Sequence, residues 1–194
     1  MKKILVTGTG RCGTTFLMRL FTYLDLNTGI HPNQVNRHIL GECNSGMEIN
    51  WIKNPELEHS VKIIKSPNFM RDISDLVERR KWEIDFIIVP IRNYEEAAKS
   101  REYFNKKAGG LTWGAKDFES QLEEFYKSMS FLIKDVVKYE IKTIFLDFEK
   151  MTTNKKYVYE KLKYLLDKNF DKFCKAYEKA NSESKSKSGI WKKN

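Results

Sequence analysis

Short apolar runs alternate along this chain with longer segments whose apolar residues recur every three or four positions. The runs have the length of buried strands, and the periodic segments have the spacing of helices with one buried face. This alternation predicts a single three-layer α/β domain at 1–180, with a mostly parallel central sheet flanked by helices, and then a basic tail at 181–194. The predicted strands are 4–6, 61–65, 85–91 and 141–145, and the predicted helices are 16–24, 68–80, one opening at Glu95, 118–139, 155–166 and 170–180.

Two segments between these elements are less regular. Residues 25–32 have the pattern of a short second strand or a loop, and residues 32–58 form a polar segment with room for one helical turn. Irregular segments of this kind often face the substrate in α/β proteins. Further along, we expect Thr152 or Thr153 to cap the helix that follows.

The first strand runs into a glycine-rich turn, residues 7–13, which we call the glycine loop. Its glycines allow positive φ and close approach to a bulky anion, and the helix that follows presents backbone N–H groups. Arg11 adds a forked cation suited to phosphate or sulfate. The spacing Gly8-x-x-x-x-Gly13 is that of a P-loop, but Thr14 stands where the nucleoside-triphosphate version has lysine. The pattern favours an anion-binding loop over a plain tight turn.

Charged and hydroxyl residues follow two later strands. Lys65 ends one predicted strand, Arg92 directly follows the apolar run 85–91, and Ser100 stands eight positions further on. Ligands of parallel sheets bind outside the carboxyl ends of the strands, so Lys65 either meets a ligand or extends to solvent. Arg92 and Ser100 are spaced so that a strand end and the next helix could clamp one phosphate.

Composition limits the class of protein. The hydrophobic content of 41% and the aromatic content of 13% are typical of a globular domain. The net charge of +9 favours anionic ligands or surfaces without saying which. Cys12, Cys43 and Cys174 have neither metal-ligand spacing nor a disulfide framework, which predicts a reducing compartment and no metal site. Without a signal-type or membrane-spanning apolar run, we expect a cytoplasmic protein with no membrane span.

Three segments of the chain, taken in order, resemble the motifs of one family. Gly10-Arg-Cys-Gly-Thr-Thr-Phe-Leu17 resembles the 5′-phosphosulfate loop of the sulfotransferases, in which a basic and a small residue precede Gly-Thr-Thr. Lys65-Ser-Pro67 is similar to a segment of several carbohydrate sulfotransferases, and Arg92 with Ser100 resembles the family's 3′-phosphate motif. The likeness covers roughly residues 2–166 and implies the P-loop NTPase-like sulfotransferase fold.

The resemblance implies a cofactor and a reaction. The cofactor is 3′-phosphoadenosine-5′-phosphosulfate (PAPS), and its sulfuryl group passes to a hydroxyl or amine of a small molecule or carbohydrate, with no nucleic-acid partner. Arg92 and Ser100 would hold the 3′-phosphate. A sulfuryl group carries less negative charge than a terminal phosphoryl group, which suits a loop without the P-loop lysine. The 5′-phosphosulfate would be held by Gly10, Arg11, Cys12, Gly13, Thr14, Thr15 and Phe16.

Transfer to a hydroxyl needs a general base and positive charge around the transferring group. Arg11 and Lys65 are the candidates for the positive charge. Family members take the base from a histidine or glutamate after the second strand, which makes Glu48 and His31 the candidates here, with Glu48 preferred. The segment 187–192 also resembles, distantly, a C-terminal segment that reaches the 3′-phosphate in longer family members.

Two other classes of function fit part of the pattern. A P-loop kinase would use the same loop, but it needs a lysine near position 14 and an aspartate for Mg²⁺, and neither is evident. A non-catalytic module that binds anions or nucleic acid would use the positive charge, and its affinity would fall steeply with salt.

Overall fold

The computed structural model describes residues 1–40, 45–48, 55–104, 110–166 and 169–187. Its central sheet has four parallel strands. Two further strands of two residues each pair antiparallel and form a separate hairpin. In chain order the strands are β1 (Lys3–Val6), β2 (Ile39–Leu40), β3 (Ser45–Gly46), β4 (Ile63–Lys65), β5 (Ile84–Ile91) and β6 (Thr143–Asp147).

Helices cover this sheet, and the prediction of an α/β domain with a parallel central sheet between helices is confirmed. Each predicted helix is present with shifted ends, and two short helices and a 3₁₀ turn occur besides. The helices are α1 (Thr14–Tyr23), a 3₁₀ helix (Pro32–His38), α2 (Pro55–Ser60), α3 (Phe69–Glu78), α4 (Tyr94–Tyr103), α5 (Phe118–Lys138), α6 (Phe148–Thr153), α7 (Lys155–Leu162) and α8 (Phe170–Lys187).

Alternate residues of the strands supply two separate cores, one on each face of the sheet. On one face Val6 and Ile88 pack with α1, α6, α7 and α8. On the other face Leu5 and Ile87 pack with α3 and α5. A strand buried on both faces has no polar positions to alternate, which explains the continuous apolar runs in the sequence.

The strand order, β4-β1-β5-β6, creates a switch point beside β1. The chain passes from β1 to β4 on one side and then crosses to β5 on the other side. In open parallel sheets such a crossing leaves a crevice at the carboxyl ends of the strands, where ligands bind. The glycine loop, the residues after Lys65 and the residues after Ile91 all leave the sheet at this edge.

Residues 25–31 form a loop, which is one of the two structures expected there. The predicted cap of α7 was wrong. Asn154, not Thr152 or Thr153, caps α7, because its side chain accepts the Tyr157 N–H. Both threonines instead lie in the unpredicted α6, where their hydroxyls bond backbone carbonyls.

Helix α8 extends past the point where the basic tail was expected to begin. It continues to Lys187, so the division at residue 181 falls within a helix. Tyr23 on α1 donates a hydrogen bond of 2.6 Å to Glu183, and Asn181 donates to the Thr152 carbonyl. These bonds explain why the helix continues in a polar stretch. The segment 188–194, with the distant likeness around Trp191, lies outside the described residues.

None of the helices in the described part of the chain combines the length and hydropathy that a membrane crossing requires.

Candidate functional site

The backbone of the glycine loop takes left-handed conformations at three positions. Gly10 has φ 77°, Arg11 has φ 57° and Gly13 has φ 90°. Glycine adopts such angles without strain, and a non-glycine residue there is uncommon. A Cβ at Gly13 would also lie 2.5 Å from Met151 Cε and 3.0 Å from Phe148 Cε2, so these side chains would have to shift. The loop therefore needs glycine for both its turn and its packing.

Helix α1, like α3, begins without a side-chain cap. Its N-cap is Gly13, and no side chain in the described part of the chain caps it. By contrast, α4, α5, α6 and α7 are capped by Asn93, Asp117, Asp147 and Asn154. The first N–H groups of a helix are unsatisfied within it and carry partial positive charge. At α1 these groups open towards the glycine loop, which is the arrangement that suits an anion.

Lys65 connects this helix start to the irregular segment. The residue is buried, and its Nζ donates to Thr15 Oγ1 at 3.0 Å and to the Gly46 carbonyl. The same Nζ lies 2.7 Å from Glu48 Oε1, and the Glu48 side chain is 43% exposed. The ammonium therefore lies between the loop helix and a carboxylate that reaches solvent. Lys65 does not extend to solvent, which was the other interpretation of its sequence position.

The β2–β3 hairpin places Glu48 beside Lys65. Gly46 has φ 122°, and a Cβ there would lie 2.1 Å from the His38 carbonyl oxygen. The Met47 N–H donates to the same carbonyl at 2.9 Å, and the Met47 side chain is buried in the core. Glu48 thus follows two residues that are fixed by backbone pairing and by packing. Two-residue strands are too short for a periodic pattern, so this support could not be predicted from the sequence.

Arg11 contacts both residues that are expected to bind the 3′-phosphate. Its Nε donates to Ser100 Oγ at 3.1 Å, and its backbone carbonyl accepts a bond from Arg92 Nη1 at 3.2 Å. Arg92 also pairs with Glu96 at 3.1 Å. The structure therefore brings Arg92 and Ser100 to the same place, on one side of the glycine loop. The Arg11 guanidinium lies over the Phe104 ring, 4.6 Å from the ring centroid.

Several of the predicted cofactor residues have buried side chains. Cys12 and Phe16 are buried, so only their backbone groups can meet a ligand. Burial raises the pKa of the Cys12 thiol, while its hydrogen bond with the Gly10 backbone and the Arg101 charge act in the opposite direction. Thr14 is nearly buried as well. Cys12 and Cys174 are free thiols, and Cys43 lies outside the described residues.

His31 has a structural role in this structure. Its side-chain Nδ1 accepts the Asn33 N–H at 3.2 Å and so caps the 3₁₀ helix Pro32–His38. In the described part of the chain, no hydrogen bond or ion pair connects His31 with Lys65 or Glu48. Of the two candidate bases, the structure brings only Glu48 to the lysine.

Two residues of this site were missed by the sequence analysis. Arg101 is buried and donates to the Thr9 carbonyl at 3.1 Å and to the Gly110 carbonyl at 2.7 Å. Burial lowers the pKa of Arg101 to about 10. Phe148 of α6 lies under the Arg92 guanidinium, 5.0 Å from it. A signal for Arg101 existed, because it follows Ala97 and Ala98 at helical spacing on the buried face of α4.

Comparison with known proteins gives no family for this chain: no family model matches it, and no curated protein matches it at a significant level.

Proposed function

We propose that this protein is a sulfotransferase that takes a sulfuryl group from PAPS and passes it to an acceptor hydroxyl. The observation that carries the proposal is the position of Lys65, whose Nζ lies 3.0 Å from Thr15 Oγ1 and 2.7 Å from Glu48 Oε1. One cation thus contacts both the start of the anion-binding helix and a solvent-reaching carboxylate. A group-transfer site needs those two functions next to each other.

The hydrogen-bond donors at the carboxyl ends of the strands fit a nucleotide that carries phosphate groups at its 5′ and 3′ positions. For the 5′ end, the glycine loop and the start of α1 offer backbone N–H groups and the hydroxyls of Thr14 and Thr15. Arg92 and Ser100 supply a fork and a hydroxyl for the 3′-phosphate. The pair of Arg92 with Glu96 does not oppose this, because the Glu96 side chain is 55% exposed and such pairs contribute little. A phosphate can therefore replace that carboxylate at small cost.

PAPS supplies the activated sulfuryl group when it is bound. Glu48 accepts the proton of the acceptor hydroxyl, since its carboxylate reaches solvent beside the loop. Lys65 and Arg11 provide positive charge where negative charge develops on the transferring oxygens. Lys65 is buried, so its charge acts in a site with little water and is held in place before reaction. The acceptor is a small molecule or carbohydrate.

Calorimetric titration with 3′-phosphoadenosine-5′-phosphate (PAP), beside ATP with Mg²⁺, tests the cofactor. We expect PAP to bind the wild type, and Arg92→Ala to weaken it by roughly tenfold to a hundredfold, the range for a lost charge-assisted hydrogen bond. Arg79→Ala is the matched control, because the Arg79 side chain is 85% exposed and directly follows α3. Its affinity for PAP should equal that of the wild type.

Three results would contradict the proposal. If the wild type binds ATP with Mg²⁺ and not PAP, the loop belongs to a kinase-like enzyme. If it binds neither, the glycine loop serves another anion. Binding that disappears with added salt for every nucleotide alike would point to the non-catalytic binding module.

A further inference from the structure

Arg101 makes contacts that the proposed reaction does not yet use. Its guanidinium is buried and joins two backbone carbonyls, that of Thr9 in the glycine loop and that of Gly110 after α4. It also lies against Gly10 so closely that a Cβ on Gly10 would be 1.9 Å from Nη2. A side chain at that glycine and the guanidinium cannot occupy the same space. The loop and the arginine therefore depend on each other.

The bond to the Thr9 carbonyl fixes the direction of the next N–H group. The Thr9 carbonyl and the Gly10 N–H belong to one planar trans peptide, in which C=O and N–H point in opposite directions. On the opposite side of the same peptide, the Gly10 backbone is hydrogen-bonded to the Cys12 thiol. The peptide is thus held from both sides, by a guanidinium and by a buried sulfur. A loop held in this way keeps its remaining N–H groups directed before any anion arrives.

A second arginine acts on the loop in the same way. Arg92 Nη1 donates to the carbonyl of Arg11, two residues after Thr9. Carbonyls at alternate positions of the loop are therefore both held by arginines of the β5–α4 unit. Arg92 is half-exposed and belongs to the proposed 3′-phosphate site, whereas Arg101 is buried behind the loop. Of the two, only Arg101 can serve the loop without also serving the 3′-phosphate.

We propose that Arg101 is a positioning residue for the 5′-phosphosulfate loop, which acts by fixing the Thr9–Gly10 peptide and joining it to Gly110. This inference rests on the proposed function, because it assumes that the loop binds the 5′ end of the nucleotide. It adds that the affinity for the 5′ group depends on a side chain that does not touch the nucleotide.

The test compares two nucleotides on Arg101 variants. PAP carries phosphates at both the 5′ and 3′ positions, whereas adenosine 3′-phosphate lacks the 5′ group. We expect Arg101→Met to weaken PAP binding by roughly tenfold to a hundredfold, as found for partners that orient ligating groups. Its affinity for adenosine 3′-phosphate should stay unchanged. Arg101→Lys should restore part of the loss, and Arg79→Met is the control for loss of a surface arginine.

A second variant disturbs the contact between Arg101 and Gly10 by a change at the glycine. Gly10→Ala keeps the arginine but pushes its guanidinium away, so it should show the same selective loss for PAP. Melting temperatures show whether each variant folds. If Arg101→Met does not fold, the test is made with Arg101→Lys and Gly10→Ala.

The outcomes separate this inference from the proposed function. If the wild type binds PAP and Arg101→Met and Gly10→Ala bind it equally well, Arg101 has no positioning role and the sulfotransferase proposal is untouched. If the variants lose both nucleotides in equal proportion, the role of Arg101 is only structural and the inference is wrong. If the wild type binds neither nucleotide, both proposals fall.

Discussion

Lys65 Nζ lies 2.7 Å from Glu48 Oε1, although the two residues belong to different elements and only the lysine is buried. The lysine is fixed at the end of β4, an edge strand of the central sheet, and the glutamate follows a hairpin whose Gly46 carbonyl accepts a hydrogen bond from the ammonium. Their contact joins the anion-binding side of the proposed site to the side that the acceptor would approach.

Replacing Lys65 should slow transfer more than it weakens nucleotide binding. Lys65→Met removes the charge that faces both Thr15 and Glu48, and the loss of one such preorganised group costs roughly a hundredfold to a thousandfold in turnover. Labelled sulfate transfer from PAPS and calorimetry with PAP measure the two effects separately. Lys62→Met is the control, because Lys62 is an exposed lysine just before the same strand. Equal losses in the two measurements would place Lys65 in cofactor binding alone.

Gly46→Ala should disturb the placement of Glu48 and leave the cofactor loop unchanged. The new Cβ would lie 2.1 Å from the His38 carbonyl oxygen, so the hairpin must shift. We expect transfer to fall by roughly tenfold to a hundredfold, because small displacements of a reacting group are costly, while PAP affinity holds.

Gly114→Ala is the matched control for that substitution. Gly114 also has a left-handed φ, 87°, but no atom lies within 4 Å of its would-be Cβ. It therefore reports the backbone strain alone, of order 1–2 kcal/mol. If both variants slow transfer equally, the hairpin does not position Glu48.

Much of the fold could be predicted from the pattern of apolar residues. β1 and residues 87–90 of β5 are buried on both faces, so these strands appear as continuous apolar runs, and α3 and α5 show helical periodicity. The hairpin and α6 were missed because strands of 2 residues and a helix of 6 residues are too short to repeat a pattern. The end of α8 was misplaced because its last turns are polar and are held by bonds such as Tyr23 with Glu183.

The site was predictable as a set of residues but not as a geometry. The order of the glycine loop, Lys65 and Arg92 along the chain, and their places at strand ends, indicated one edge of the sheet. The contact between Lys65 and Glu48 depends on how an irregular segment folds, which no periodicity reveals. The helical spacing of Arg101 could indicate its burial but not its partners, which are backbone carbonyls in two other segments of the chain.

The buried thiol of Cys12 should make stability depend on alkaline pH. Burial raises the pKa of Cys12 above its ordinary value of 9.0, so the unfolded chain loses the thiol proton before the folded chain does. The stability that this difference provides is complete below the unfolded pKa and is lost as pH rises towards the folded pKa. One proton limits the slope to about 1.4 kcal/mol per pH unit.

Chemical denaturation of the wild type and Cys12→Ala between about pH 8 and about pH 10 measures this effect. We expect the difference in unfolding free energy between the two proteins to shrink as pH rises. Burial also raises the pKa of Tyr177 to about 12, but this tyrosine remains in the variant and cancels in the difference. A difference that stays constant with pH would show that the Cys12 thiol ionises equally in both states.

The most direct measurement is transfer of labelled sulfate from PAPS to a panel of sugar, phenol and alcohol acceptors, with the wild type, Glu48→Gln and His31→Ala side by side. We expect the wild type to label an acceptor and His31→Ala to keep that activity. Glu48→Gln should lose roughly a hundredfold to ten-thousandfold, the range for a general base, while it binds PAP as the wild type does. Transfer by Glu48→Gln at the wild-type rate, or its loss in His31→Ala alone, would contradict the site built around Lys65 and Glu48.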